Sequence, residues 1–245
     1  MGGYCHKRNF SLRYTDFDFK DDIKFSSILG LAQEAACSSA DELGFGYEAL
    51  KPKGLGFITV HTYCELLKPV CLGDELTVKT WPLPPRHVIF ERDYEIENQK
   101  GEVVAKAASR WCLIDLKTFS LLQPEAMGQA HTDCPYNPEK VLPSISWQIP
   151  KLESDKPVAY KTMVGASRLD HYFHANNTLY ADFFMDCFTA AELSRPVKSF
   201  QIAYLIQAKE GVELSFFRKD EGNVSICEAR SEEGVHARFR LIFGE

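Results

Sequence analysis

The chain reads as an α+β protein built twice, with a long helix followed by consecutive antiparallel strands and then the same order again. Three features predict this. Two stretches repeat apolar residues at helical spacing, and two hairpins alternate apolar with polar residues. The polar approaches to the two helices also align at an offset of 152 residues, setting Asp18 over Asp170 and Asp22 over His174. A repeat of this length points to a duplication rather than a solenoid. With 245 residues, 45% hydrophobic and 25% charged, the chain can bury one extended core or two small ones.

The first helix is expected in KFSSILGLAQEAACSSADELG, where Ile28, Leu31, Ala32, Ala35 and Ala36 share a stripe and Gly44 supplies the stop. FITVHTYCELLKPVCLGDEL follows as an extended run and a Gly turn. In VIFERDYEIEN, Val88, Phe90, Tyr94 and Ile96 alternate with Glu91, Asp93, Glu95 and Glu97, as a strand with one wet face requires. Arg92 falls on the apolar side and needs a partner there. NQKG then turns the chain into EVVAKAASRWCLIDL, the returning strand.

Between Pro124 and Pro157 lie six of the twelve prolines, in a stretch without sustained period. It reads as a crossing linker with Trp147 and Ile149 as anchors. The second helix is expected in NNTLYADFFMDCFTAAEL, with Leu179, Phe183, Cys187 and Ala190 on its apolar side, and FQIAYLIQAKEGVEL repeats the extended run. NVSICEARSE and VHARFRLIF close as a hairpin with Val235, Ala237, Phe239, Leu241 and Phe243 on one face and His236, Arg238 and Arg240 on the other. The expected division is residues 1–123, a linker over 124–157, and residues 158–245, the last holding the polar cluster considered below.

A formal charge of −6 and a pI near 5.7 argue against a nucleic-acid binder, which carries a basic face. Arg86, Arg92, Arg110 and Lys117 read either as a local basic patch for an acidic partner or as solvated surface charge. No apolar run reaches membrane-spanning length, and MGGYCHKRNF lacks the apolar core of a secretory signal, so no membrane association and a cytoplasmic location are expected. The eight cysteines show no C-x-x-C pair and no zinc spacing, and read as reduced thiols that pack as small hydrophobes.

Two helices, each cradled by an antiparallel sheet and entered through Asp-bearing polar residues, resemble the acyl-acyl carrier protein thioesterases, whose fold is a double hotdog. The resemblance covers nearly the whole chain. YEIENQKGEVVAKAASRWCLIDLKT is similar to that family's Gly turn and Trp-bearing strand, here with Trp111, Asp115 and Thr118. Family members carry Asp-x-Asn-x-His-Val-Asn-Asn before the second helix, and DHYFHANN places Asp170, His174, Asn176 and Asn177 at matching positions. Tyr172 replaces the family Asn and Ala175 the Val, and Tyr-x-x-Glu on the next strand becomes Tyr204 and Gln207. The resemblance implies a hydrolase releasing fatty acids from acyl carrier protein, its partner. The alternatives are a coenzyme A thioesterase and a non-catalytic acyl-binding protein.

The residues themselves suit thioester hydrolysis. Asp170 beside an apolar helix can serve as base or nucleophile, and His174, which titrates near neutrality, can hold the Asp, orient water or protonate the thiolate. Free N–H groups near Ala175, Asn176 and Asn177 would sit at the positive end of the helix, where an oxyanion is favoured. Asn176 or Asn177 reads equally as a helix cap, Asp170 as a turn residue and Tyr172 as a hydroxyl donor or a plain aromatic. Gln207 cannot act as a base but can orient water. Asp18 and Asp22 lack the His and the Asn pair, which predicts one working site and one structural relic. The acyl slot is expected beside Gly30, Ala32, Ala35 and Ala36. No metal or organic cofactor is implied, and the protein is expected to be a monomer or homodimer.

Overall fold

The computed structural model describes residues 3–153 and 157–244, so the end of the expected linker at 154–156 and the extreme termini lie outside the described residues. The strands are β1 (His6–Ser11), β2 (Leu55–Leu66), β3 (Glu75–Pro82), β4 (Ile89–Asn98), β5 (Val103–Asp115), β6 (Leu121–Leu122), β7 (Val158–Met163), β8 (Val197–Tyr204), β9 (Glu213–Glu221), β10 (Val224–Ser231) and β11 (Gly234–Phe243). The helices are α1 (Phe25–Glu42), α2 (Tyr47–Leu50), α3 (Gln129–Thr132) and α4 (Leu179–Met185).

All strands join one sheet in the order β1-β3-β4-β5-β2-β8-β11-β10-β9-β7, with β6 on β5. The order reads the same from both ends once β1 is matched to β7, β2 to β8, β3 to β9, β4 to β10 and β5 to β11, which is the expected duplication. The halves meet where β2 and β8 pair antiparallel, from His61 opposite Ala203 to Glu65 opposite Ser199. The edge strands β1 and β7 carry no sequence signal of their own. At the rim only one face is covered, so HKRNFS and VAYKTM alternate weakly and are rich in polar residues.

The first helix forms where the Ala-rich stripe predicts. Ile28, Ala32, Ala35 and Ala36 are buried together with Phe25 and Leu29, and Gly44 follows the C-terminus at φ 77°, a left-handed conformation that favours glycine. The second helix is much shorter than expected, at seven residues. Arg218 donates to the Cys187 carbonyl at 2.8 Å, and Glu192 accepts from the Thr189 N–H and hydroxyl at 2.7 and 2.8 Å, which starts a separate 3-10 turn. Ala190 therefore lies outside the helix, whose buried side is Tyr180, Ala181, Phe183 and Phe184.

Both helices pack on the same side of the sheet in one continuous core. Phe25 stacks on Phe200 with ring centroids 4.4 Å apart, and Phe184 on Phe239 at 5.0 Å. Each such ring contributes about 1.5–3 kcal/mol by its burial. A smaller cluster of Phe45, Leu50, Leu55, Phe90, Leu113 and Met127 lies to one side.

The proline-rich segment crosses the opposite face of the sheet as a strap. The Trp81 indole donates to the Glu139 carbonyl, Trp147 lies under the Arg110 guanidinium and against His61, Arg240 donates to the Ser146 carbonyl, and the Leu152 N–H meets Glu228. Ile149 of the strap is buried. The strap corrects two sequence expectations. Asp93, placed on the wet face, is buried because the Val141 N–H reaches it at 2.6 Å. Arg110 pairs with Glu91 under the strap and Arg92 is buried on the helix side, so Arg86, Arg92, Arg110 and Lys117 form no common patch.

Candidate functional site

The loop before α4 is fixed by its own polar groups. The Asp170 N–H donates to the His174 carbonyl at 2.8 Å, and Asp170 Oδ1 accepts the N–H groups of Tyr172 and His174 at 2.8 and 3.3 Å. Phe173 sits at the turn with φ 62°. The same loop recurs at an offset of 152 residues. Asp18 Oδ1 accepts from the Lys20 and Asp22 N–H groups, and Asp21 also has φ 62°. The alignment read from sequence is therefore a repeated backbone motif, with the aspartate as its turn-former in both copies.

The copies differ in what surrounds the second carboxylate oxygen. Lys20 places its ammonium between Asp18 and Asp22, at 4.0 and 2.7 Å. The equivalent position in the second copy is Tyr172, so Asp170 Oδ2 is left without an ion-pair partner among the described residues. Tyr172 is half-buried, and burial, with Tyr47 and Asp170 nearby, raises its hydroxyl to about 12, which keeps it a hydrogen-bond donor. His174 is 8% exposed and its Nδ1 is buried without a partner among the described residues. Burial lowers its pKa, with Asp170 opposing the shift and Lys209 adding to it, so the ring is neutral at pH 7. The imidazole makes no direct bond to the Asp170 carboxylate. The two are joined through the His174 backbone.

Asp170, Tyr172, His174, Ala175, Asn176, Asn177 and Gln207 all line one cavity of about 310 Å³. From them it runs beneath α1 to Phe45, Leu50, Phe57, Phe90 and Met127, an apolar slot beside the smaller cluster. Of the four small residues expected to open the slot, only Ala36 faces it, joined by Cys37 and Ala40. Ala35 is packed in the core and Gly30 lies away from the cavity. Asp18 and Asp22 line a separate cavity of about 660 Å³, the larger of the two, with no imidazole among its described lining residues.

The three amides expected to receive an oxyanion are not equivalent. The Ala175 N–H donates to the Ala208 carbonyl at 2.8 Å and the Asn176 N–H to the Arg168 carbonyl at 3.0 Å, so both are already engaged. The Asn177 N–H meets no acceptor among the described residues. Asn176 Oδ1 accepts from the Thr178 N–H and hydroxyl, both at 2.9 Å, a turn that leads into α4, whose cap position is Thr178 rather than Asn176 or Asn177. Gln207 lies beyond the end of β8, exposed at the cavity mouth, while the Tyr204 hydroxyl donates to the Asn177 carbonyl at 3.1 Å and steadies the helix entrance. Asp115 accepts from the N–H groups of Lys117 and Thr118 in a tight turn at the hairpin end, and Trp111 lines the slot.

Several lining residues escaped sequence reasoning. Gly56 leaves room for Tyr172, because a Cβ there would sit 3.0 Å from the Tyr172 hydroxyl and 2.8 Å from Leu116. Tyr47 packs on His171 and Tyr172 with centroids at 4.7 and 6.0 Å. The Tyr180 hydroxyl is buried without a partner among the described residues. His236, expected on the outward face, is fully buried because the chain after β8 folds back over it. Leu205 and Ile206 donate their N–H groups to its carbonyl, its Nδ1 donates to the Ile206 carbonyl at 3.1 Å, and Ser231 meets Nε2 at 2.6 Å. None of these carries a local motif. Only the folded register brings them to the cavity.

Residues 3–123 match the family model described as the acyl-ACP thioesterase N-terminal domain. An oleoyl-acyl carrier protein thioesterase 2, chloroplastic, of Arabidopsis thaliana is 25% identical over 195 residues, which are 73% of this chain and 52% of that protein. The chain thus spans about half the length of that relative. A 1,4-dihydroxy-2-naphthoyl-CoA hydrolase of Nostoc punctiforme is 28% identical over 113 residues, 46% of this chain and 76% of that one. Among solved structures, an acyl-ACP thioesterase from Bacteroides thetaiotaomicron superposes with a TM-score of 0.88 at 20% identity, covering 98% of each chain. A 12:0-ACP thioesterase from Umbellularia californica does so at 0.85 and 17% identity, covering 100% of this chain and 98% of the other. At these identities the structural likeness establishes the fold, the double hotdog, along the full length. By the match over residues 3–123, that half of the chain belongs to the acyl-acyl carrier protein thioesterase family.

Proposed function

We propose that the protein is a thioester hydrolase that releases fatty acids from acyl carrier protein. The observation that carries this reading is the single cavity that joins Asp170, His174 and Tyr172 at its mouth to an apolar slot beneath α1. The acyl chain lies in the slot and the thioester at the mouth. Asp170 Oδ2 takes a proton from the attacking water, a second water carries that proton to His174 Nδ1, which has no partner among the described residues, and the ring gives its Nε2 proton to the departing thiolate. The carbonyl oxygen, gaining charge, is received by the Asn177 N–H, the one amide of the three left unengaged. Tyr172 and Gln207 hold the water by hydrogen bonds. Ala175 and Asn176 shape the loop rather than touch the substrate.

The mouth also suits a protein carrier. Phe119, Phe173, Leu205 and Ile206 are exposed, with Phe119 6.4 Å from the His174 ring, and Lys51 lies over Tyr47. An acidic carrier finds apolar and cationic contacts there. A cytoplasmic location and a monomeric or homodimeric state go with this proposal.

The test is thiol release from acyl carrier protein and coenzyme A thioesters at equal acyl length. The expected result is turnover of both with a higher kcat/KM for the carrier protein. Preference for coenzyme A would make the carrier assignment wrong. Tight acyl binding without thiol release would leave a binding protein instead of an enzyme.

A further inference from the structure

The apolar slot contains a charge that the reaction does not use. Arg92 is 6% exposed and lines the same cavity, on the helix side of β4. The sequence placed it on an apolar face and required a partner there. Its partners are hydroxyls, with Nη1 donating to Ser39 at 3.0 Å and to Thr80 at 3.3 Å. Ser39 in turn meets Tyr4 at 3.1 Å, whose hydroxyl donates to Glu42 at the surface, so the nearest carboxylate along this chain is two hydroxyls away. Among the described residues no acceptor meets Arg92 Nε or Nη2 and no carboxylate pairs with it.

A guanidinium stays charged at any working pH, and a buried charge without a counter-ion is costly unless something supplies acceptors. The surrounding walls, Phe45, Leu50, Phe90 and Met127, supply none. The strand β4 is separated from β2, where Gly56 faces Tyr172, by β5 alone. Two strand spacings put Arg92 at least roughly 10 Å from the thioester end, measured across the sheet. The cation therefore faces a methylene well down a bound acyl chain and not its carbonyl.

We propose that Arg92 selects acyl chains that carry a hydrogen-bond-accepting oxygen, a hydroxyl or a carbonyl, at a position remote from the thioester. This rests on the slot being the acyl site of the proposed function. An oxygen at the right carbon accepts from Nε or Nη2 and relieves the unpaired donors, whereas an unsubstituted chain leaves them facing methylenes. The preference is positional, because the sheet fixes the distance between the mouth and Arg92.

The test measures binding of a positional series of free hydroxy fatty acids, and of the unsubstituted acid of equal length, by displacement of a fluorescent fatty-acid probe from the full-length protein. One hydroxyl position is expected to bind about tenfold tighter than the unsubstituted acid, as a hydrogen bond to a charged donor warrants. Arg92→Met is expected to bring that ratio close to one and Arg92→Lys to keep part of it, with melting temperatures confirming folded protein. No positional preference in the wild type, or the same preference in Arg92→Met, would overturn the inference, and the wild-type series decides it even if Arg92→Met does not fold. Binding is read without turnover, so a preserved preference with no thiol release from any thioester would count against the proposed hydrolysis and not against the role of Arg92.

Discussion

At the scale of single residues, the loop from Asp170 to Asn177 divides its polar groups between holding itself together and facing the cavity. Asn176 belongs to the first kind. Its carboxamide holds Thr178 at the entrance to α4 and its N–H is bonded to the Arg168 carbonyl. Replacing it with Ala removes its two bonds to Thr178 and should cost about 1 kcal/mol, seen as a fall of about 2–4 °C in melting temperature. Gly56 belongs to the second kind by leaving space. An added methyl presses on the Tyr172 hydroxyl and Leu116, both movable, so Gly56→Ala should cost only about 1 kcal/mol of stability. Its kcat should fall about tenfold as Tyr172 is displaced from the water it positions. An unchanged kcat would remove Tyr172 from the proposed reaction. The sequence displayed the Asp, His and Asn residues but not this division of labour, because which amides are spent depends on partners at Arg168 and Ala208, distant in the pattern if near in the fold.

At the scale of elements, the strap sets the electrostatics of the sheet face it covers. His61 on β2 lies against Trp147, and its burial, with Arg110 adding to the effect, lowers its pKa to about 4. Burial also lowers His174 and His236. Each of these rings binds fewer protons folded than unfolded between its lowered value and the ordinary 6.5, so each contributes stability that is lost as pH falls through that interval. Asp93 and Asp182 act oppositely, since burial raises both, Asp93 to about 6, and favours the folded state on the acid side. Three imidazoles outweigh two carboxyls, and the melting temperature should fall as pH is lowered from 6.5 towards 4. His61→Gln should flatten that slope, and a slope unchanged by the substitution would show that the ring is not held neutral by the strap. The proline content announced a linker, yet nothing in its own pattern revealed the burial it imposes on Asp93 and His61. The reason is that cover by an irregular segment leaves no period to read. The shortened α4 has a similar cause. Leu179, Phe183 and Cys187 keep helical spacing, and only Arg218 and Glu192, acting from outside that pattern, end the helix early.

At the scale of the whole molecule, the sheet is continuous across the duplication. Cys64 and Phe200 face each other at the β2–β8 seam, and Phe200 is stacked on Phe25 from α1. The halves therefore share their core, and calorimetric unfolding should show one transition rather than two. Phe200→Ala should lower stability by about 3–5 kcal/mol while keeping a single transition. Two separated transitions would show that the halves fold independently. Duplication was legible because its period survives in the polar loops, Asp18 over Asp170, and in the alternating hairpins. The edge strands were not, since β1 and β7 bury too little to leave a pattern.

Duplication also poses the sharpest question about function, because the same loop occurs around Asp18 and around Asp170, each aspartate lining its own cavity. The proposed function assigns the reaction to the second copy, where Tyr172 stands in place of Lys20 and His174 in place of Asp22. Asn preserves the turn-forming oxygen at either aspartate, so Asp170→Asn and Asp18→Asn are both expected to fold, and hydrolysis of acyl carrier protein thioesters by the two variants compares the copies directly. Asp170→Asn should lose at least about a hundredfold in kcat, the scale of a missing general base, while Asp18→Asn stays near wild type. Equal rates for wild type and Asp170→Asn, or the larger loss in Asp18→Asn, would contradict the assignment.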